Sequence, residues 1–522
     1  MRQGFSYSHL TAAGIFSIVF MIAATLSAEL KPASIFGNNM VLQQGTAVPV
    51  WGKAAPGEKV IVEFAGQKKT ASADENGKWM VNLDPLKASA QGAVMTISGS
   101  STVKFNNVLV GEVWICSGQS NMQLGVRAVE ELKALVPEAN KLPIHYYAMP
   151  ESIAFEKQDD CSGSWQAAPP TSAVAFGFAY FLQKSLGIPI GIIQTCWGSS
   201  SIEGWMPIEL TEQLPHFKKI MDKFKADKDQ QEACRLIIEQ YKKAHCIRKY
   251  CDDEAKDKEL SKKYRNANIF ARTRSNMLYN AMLHPVIPYA VRGMVWYQGE
   301  ANANAMDKMR QYKESLQVWV KTLRSLWGNE KFHFLAVMLP GYGRIFGQAQ
   351  KGYKDDYTYP GNPTWAWVRE SQMGILELPN TAVANTIDLG SLKTIHPKDK
   401  KPVCERLALI AEHDVYGKDV KSLAPMFDSF KVDGNKMIIK FKYAEGLKSK
   451  DGTPPKGFWI ADKEGSWHKA DAVIKGDSVV ITAKGVDKPA ACRYAFAAKP
   501  EVNLVNGAGL PVYPFRTDNW KK

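Results

Sequence analysis

Between residues 108 and about 418 the chain repeats one unit, a continuous apolar run of strand length followed by a stretch with helical periodicity. The runs fall at 108–115, 188–195, 291–297, 332–339 and 381–387, and the helical stretches between them include 173–186, 306–326 and 363–378. A strand that is apolar on both faces must be covered on both, and parallel neighbours need a crossover connection. The pattern predicts an α/β fold in which a parallel sheet lies between two helical layers. The segment 207–271 breaks the rhythm: it is charged, helical in pattern and without a strand, as an inserted lid or arm would be.

The flanks read differently. Residues 29–107 alternate short β-rich runs with turn residues, which predicts a β-sandwich-type module, and Asn76-Gly77 is a strong hairpin signal within it. From 421 to 522 β-rich runs return, with Asp-Gly turns at 433–434 and 451–452. Four parts are therefore expected: a leader over 1–28, a β module over 29–107, an α/β domain over 108–420 and a second β module over 421–522. No repeat or low-complexity tract is visible.

Residues 10–28 carry no charge, are mostly apolar and end in small residues before Glu29, as in a secretory signal. Export to the periplasm or outside the cell is the expectation, with no stable membrane insertion after cleavage. Nowhere else does an apolar run approach the roughly 18 residues that span a bilayer. The net charge is +14, and much of the Lys and Arg density falls in the segment 216–263, where it is interleaved with Asp and Glu as on a solvated face. No nucleic-acid motif accompanies it.

The eight cysteines (Cys116, Cys161, Cys196, Cys234, Cys246, Cys251, Cys404 and Cys492) leave disulfides possible. Cys116 and Cys196 sit in apolar strand ends, where free thiols pack well, and free buried thiols are the expectation. Cys234, His245, Cys246 and Cys251 match no standard metal-ligand spacing, so no metal is expected. Gly341-Tyr342-Gly343 follows a strand but lacks the spacing of a dinucleotide loop and reads as a plain turn.

Four strand ends carry chemistry. Gly118-Gln119-Ser120-Asn121-Met122 places a serine where a strand passes into a helix, a position suited to a nucleophile or to an N-cap. Gln194 to Trp205 contains Gly198, whose backbone N–H a ligand can approach closely. Trp296-Tyr297-Gln298-Gly299-Glu300-Ala301-Asn302 offers two amides. Thr394-Ile395-His396-Pro397 puts a histidine in a stiffened loop, as a general base requires. Ends of parallel strands open onto one crevice.

In these segments the chain resembles the sialate O-acetylesterase family, a branch of the SGNH-type carbohydrate acetylesterases. The resemblance runs from Ile35-Phe36-Gly37-Asn38-Asn39-Met40 to Pro514-Phe515-Arg516-Thr517-Asp518, nearly the whole exported chain. It implies an SGNH, flavodoxin-like three-layer sheet and metal-free ester hydrolysis without a cofactor. Ser120 would attack the acetyl carbonyl with His396 as base. The backbone N–H groups of Ser120 and Gly198, completed by the amide of Asn302 or Gln298, would hold the oxyanion, while Gln119, Asn121 and Glu300 would meet the substrate. That substrate would be an O-acetylated carbohydrate, foremost a sialic acid. An acetyl xylan esterase and a non-catalytic glycan-binding relative are the alternatives.

The chain departs from the family at two places, one of them Ser199, which stands where a second glycine is common. At the other, Lys393 and Thr394 stand where an aspartate usually precedes the histidine. Asp388, the Thr394 hydroxyl and a backbone carbonyl remain as partners for the imidazole.

Overall fold

The computed structural model describes residues 29–244, 253–274, 276–346 and 354–520. The expected leader, and His245, Cys246 and Cys251, lie outside the described residues. Among those described, no helix is long and apolar enough to cross a membrane.

The central sheet is built on β1 (Thr102–Gly118), β2 (Ile144–Ala148), β3 (Ile190–Cys196), β4 (Gly293–Tyr297), β5 (His333–Val337) and β6 (Thr381–Ala384). They pair in parallel in the order β2-β3-β1-β4-β5-β6, and a short strand, Ser164–Gln166, adds antiparallel beyond β2. Helix α1 (Ala173–Leu186) packs on α4 (Lys401–Asp414) on one face, and α2 (Met306–Trp327) packs on α3 (Ala366–Met373) on the other. This is the expected three-layer architecture. Ser172 caps α1 through its hydroxyl, and Gly187 ends the helix in the left-handed conformation at φ +70°. The sequence missed β2 because Ile144-His145-Tyr146-Tyr147-Ala148 is not a continuous apolar run.

The long strand β1 crosses the expected module boundary. Up to Asn107 its residues alternate or are exposed, and from Val108 onward every one is buried. Its first half pairs antiparallel with Ser89–Ser98 in the amino-terminal module, and Leu109–Gly111 pair in parallel with Val41–Gln43. Its second half lies between β3 and β4. Glu112 seals this seam: its carboxylate accepts from Gln43 and from both nitrogens of an Arg292 fork at 2.8 and 3.0 Å.

The hairpin expectation at Asn76-Gly77 fails. Gln67–Ser72 pairs with Lys59–Phe64, whereas Lys78–Leu83 pairs with Val48–Lys53 in the other sheet, so the Asn-Gly turn bridges the two sheets. Asp74 directs it, its Oδ1 accepting from the N–H groups of Asn76 and Lys78. The two-residue hairpin lies instead at Ala65-Gly66, both at positive φ.

The segment 207–271 holds helices and no strand among its described residues, including Pro215–Ala226, Lys228–Ala244 and Glu254–Arg272. The carboxy-terminal region forms two four-stranded antiparallel sheets around Ile439, Ile481, Phe458 and Tyr494. It is riveted to the α/β domain by Arg516, which forks onto Glu370 at 2.6 and 3.2 Å. Gly341–Tyr342 is a short strand paired with Gly390–Ser391, consistent with a structural role for that glycine-rich turn.

Candidate active site

At the end of β1, Gly118 is flanked by Cys196 on one side and Tyr297 on the other. A Cβ at this glycine would lie 2.2 Å from the Tyr297 carbonyl oxygen, and its φ of +136° suits glycine alone. The chain then turns: Gln119 N–H donates to Tyr297 O at 3.0 Å, and its own carbonyl accepts from Met122 and Gln123. Ser120 opens the short helix Ser120–Gln123 and is half-buried.

The loop after β6 brings His396 to this serine. Nε2 of His396 lies 2.7 Å from Ser120 Oγ. Thr394 Oγ1 accepts from the backbone N–H of His396 at 3.1 Å, so that hydroxyl shapes the loop and is not bonded to the imidazole. Burial, helped by the Lys400 ammonium, holds the imidazole below its ordinary pKa and favours the neutral ring that can accept a proton.

Asp388 is placed elsewhere. Both its oxygens are taken by Arg406 at 2.8 Å, and Arg406 also donates to Asn385 O at 2.6 Å, bracing the end of β6 against α4. Among the described residues no carboxylate hydrogen-bonds His396.

Gly198 does approach the serine: a Cβ at 198 would lie 3.5 Å from Ser120 Cβ. Its N–H donates to Gln123 Oε1 at 2.8 Å. Ser199, where the family commonly has a second glycine, adopts φ +63°. The guanidinium of Arg272, at the end of the inserted helices, donates to Gly198 O at 2.8 Å and lies 5.2 Å from the Trp197 ring centroid. The insertion thus reaches the loop beside the serine.

The two amides expected near the oxyanion bind protein groups. Gln298 is fully buried, accepting from Tyr312 Oη at 2.6 Å and donating to Asn302 Oδ1 at 2.8 Å, Gln119 Oε1 at 3.1 Å and Ser200 O at 3.2 Å. Asn302 donates to Glu203 Oε2 at 2.8 Å and accepts from Ile202 N–H at 3.1 Å. Together they tie the loops after β3 and β4 to one another.

The expected substrate contacts are likewise internal. Gln119 accepts from Ala301 N–H at 3.1 Å, and Asn121 bonds Glu300, Ile395 and Lys400. Residue type alone signals donors and acceptors, not their partners. Lys400 and Gln123 were missed as site residues; Lys400 lies four residues after His396, in Ile395-His396-Pro397-Lys398-Asp399-Lys400, and nothing in the sequence marked Gln123. Among the described residues no cluster of His, Cys, Asp or Glu is arranged to hold a metal ion.

Residues 261–403, from the insertion through the His396 loop, match the family described as carbohydrate esterase, sialic acid-specific acetylesterase. A sialate O-acetylesterase of Mus musculus is 29% identical over 478 residues, covering 83% of this chain and 83% of its own. The Homo sapiens sialate O-acetylesterase is 26% identical over 451 residues, covering 80% and 77%. The crystal structure of a carbohydrate acetylesterase from Xanthomonas citri superposes with a TM-score of 0.77 at 30% identity, over 94% of this chain and 100% of that one. The chain belongs to the sialate O-acetylesterase family. As a member of that family it is a carboxylic ester hydrolase with the SGNH-type α/β fold, and the resemblance read in its motifs extends through the flanking β modules.

Proposed function

We propose that this esterase is exported and removes O-acetyl groups from carbohydrates, with O-acetylated sialic acids as its substrate class, through an acyl-enzyme on Ser120. The observation that carries the reading is the 2.7 Å approach of His396 Nε2 to Ser120 Oγ at the end of the central strand. His396 takes the hydroxyl proton as Oγ bonds the acetyl carbonyl carbon. On collapse, the carbon–oxygen bond to the sugar breaks and the sugar oxygen receives that proton. Water, deprotonated by His396, then attacks the acetyl carbon, releasing acetate and restoring Ser120.

The backbone N–H groups of Ser120 and Gly198 hold the oxyanion, with Gln123 giving up its hold on Gly198 to the substrate carbonyl. Gln298 and Asn302 keep the loops that carry these groups in place. Asp388 takes no part, and the pair works as a dyad.

Acetate release from O-acetylated sialic acid and from acetylated xylan, measured side by side, tests the substrate class. Preference for the sialic acid is expected, and preference for xylan overturns it. Ser120→Ala should lower turnover by at least ~10³-fold with the fold retained, and a phosphonate should label Ser120 in the parent. Retained turnover, or labelling elsewhere, rejects the nucleophile.

A further inference from the structure

One side chain ties the turn that carries the serine to the loop that carries the histidine. Asn121, next to Ser120 and fully buried, donates from Nδ2 to Ile395 O at 2.8 Å and to Glu300 Oε1 at 2.5 Å. Its Oδ1 accepts from Lys400 Nζ at 2.7 Å. The neighbour of the nucleophile therefore grips the neighbour of the base. Three strand ends contribute to this bracket: Asn121 after β1, Glu300 after β4, and Ile395 with Lys400 after β6.

The ammonium and the backbone carbonyl fix which way the amide faces. An ammonium can only donate, so it selects Oδ1, and a carbonyl can only accept, so it selects Nδ2, which also meets the Glu300 carboxyl, whose pKa burial raises. With the amide oriented, an N–H is aimed at Ile395 O. Lys400 is only 1% exposed, its ammonium lies 5.0 Å from the Tyr297 ring centroid, and Glu300 Oε2 is buried without a partner. Burying an ammonium and a carboxylate is costly, and apolar residues would pack such a site at less expense.

We propose that Asn121, held between Lys400 and Glu300, is the positioning residue for the general base, orienting His396 from the serine's side in place of a carboxylate on the histidine's side. This rests on the assignment of Ser120 and His396 as nucleophile and base. Electrostatics add a second consequence. The imidazole is faced by Ser120 from the nucleophile turn and by Lys400 from its own loop, and Lys400 is faced in turn by Glu300, Asp399 and Cys404. The lysine charge lowers the affinity of His396 for a proton, so the base is free at lower pH than without it.

The test uses the full chain, with kcat, KM and the pH dependence of kcat/KM on a soluble acetyl ester. Asn121→Ala should lower kcat by roughly 10²-fold while KM stays within about threefold, and phosphonate labelling of Ser120 should slow in parallel. Lys400→Met should move the acid limb of the pH profile to higher pH, and Lys400→Arg, which keeps the charge, should hold it in place. Wild-type kcat in folded Asn121→Ala, with Ser120→Ala and His396→Ala both inactive, overturns the bracket and leaves the dyad standing. Activity retained in folded Ser120→Ala or His396→Ala rejects the underlying assignment instead. If Asn121→Ala does not fold, an unmoved acid limb in Lys400→Met overturns the proposal.

Discussion

Asp388 and Arg406 form a two-pronged ion pair, 2.8 Å at each carboxylate oxygen, with both side chains only 12% exposed. The pair fastens the end of β6 to α4, and it leaves His396 without that carboxylate. Asp388→Asn should therefore cost stability, about 3 kcal/mol because a largely buried guanidinium loses its partner, while kcat stays within a few-fold of the parent. Denaturant titration and steady-state kinetics on one preparation check both. A folded Asp388→Asn as inactive as His396→Ala would make Asp388 the third member of a triad.

Acid should loosen the fold through the partly buried His333. Burial first, then the Arg292 charge, brings His333 from 6.5 down to about 4. A depressed histidine pKa means that the unfolded chain binds the proton more readily than the native one. The contribution is intact above 6.5 and is lost as pH falls from there towards 4. Denaturant midpoints across that window should fall with pH, and His333→Gln should flatten the fall. An unchanged slope in the variant would remove His333 as the source.

Cys116 and Cys196 are free and buried, and their strand register places Cys116 opposite Gln194 while Cys196 lies opposite Gly118. Both should be alkylated after unfolding without reductant, and a cross-linked 116–196 peptide in a non-reducing map would contradict this.

Gly118→Ala should prevent the strand ends from closing, because the new methyl would stand 2.2 Å from the Tyr297 carbonyl oxygen. Loss of soluble protein, or a fall in melting temperature of more than about 10 °C, is expected from a clash with backbone on a position of positive φ. A variant with wild-type melting and activity would mean that β4 can retreat at no cost.

What could be read from the residues was the part governed by periodicity. Five strands of the parallel sheet, and the helix Ala173–Leu186 to the residue, follow from continuous apolar runs alternating with amphipathic ones. β2 escaped because its histidine and tyrosines interrupt that signal. Asn76-Gly77 misled because a tight turn specifies a reversal of the chain, not which sheet receives the next strand. The approach of Ser120 to His396 was legible from two strand-end motifs, whereas the fate of the amides was not. Gln298, Asn302 and Asn121 could each have faced a ligand, and only three-dimensional pairing shows them bonded to Tyr312, Glu203 and Ile395.

The strand Thr102–Gly118 begins as a rib of the amino-terminal module and ends one turn short of the serine. At about 3.3 Å per residue it is a rod of roughly 55 Å, clamped midway where Glu112 meets Gln43 and Arg292. A module carried on such a rod is no detachable cassette. Trimming the chain at residue 107, or grafting in a foreign domain there, would cut the beam on which the nucleophile is mounted. Evolution and the engineer alike are left to vary this part by its loops, with its length and register held fixed.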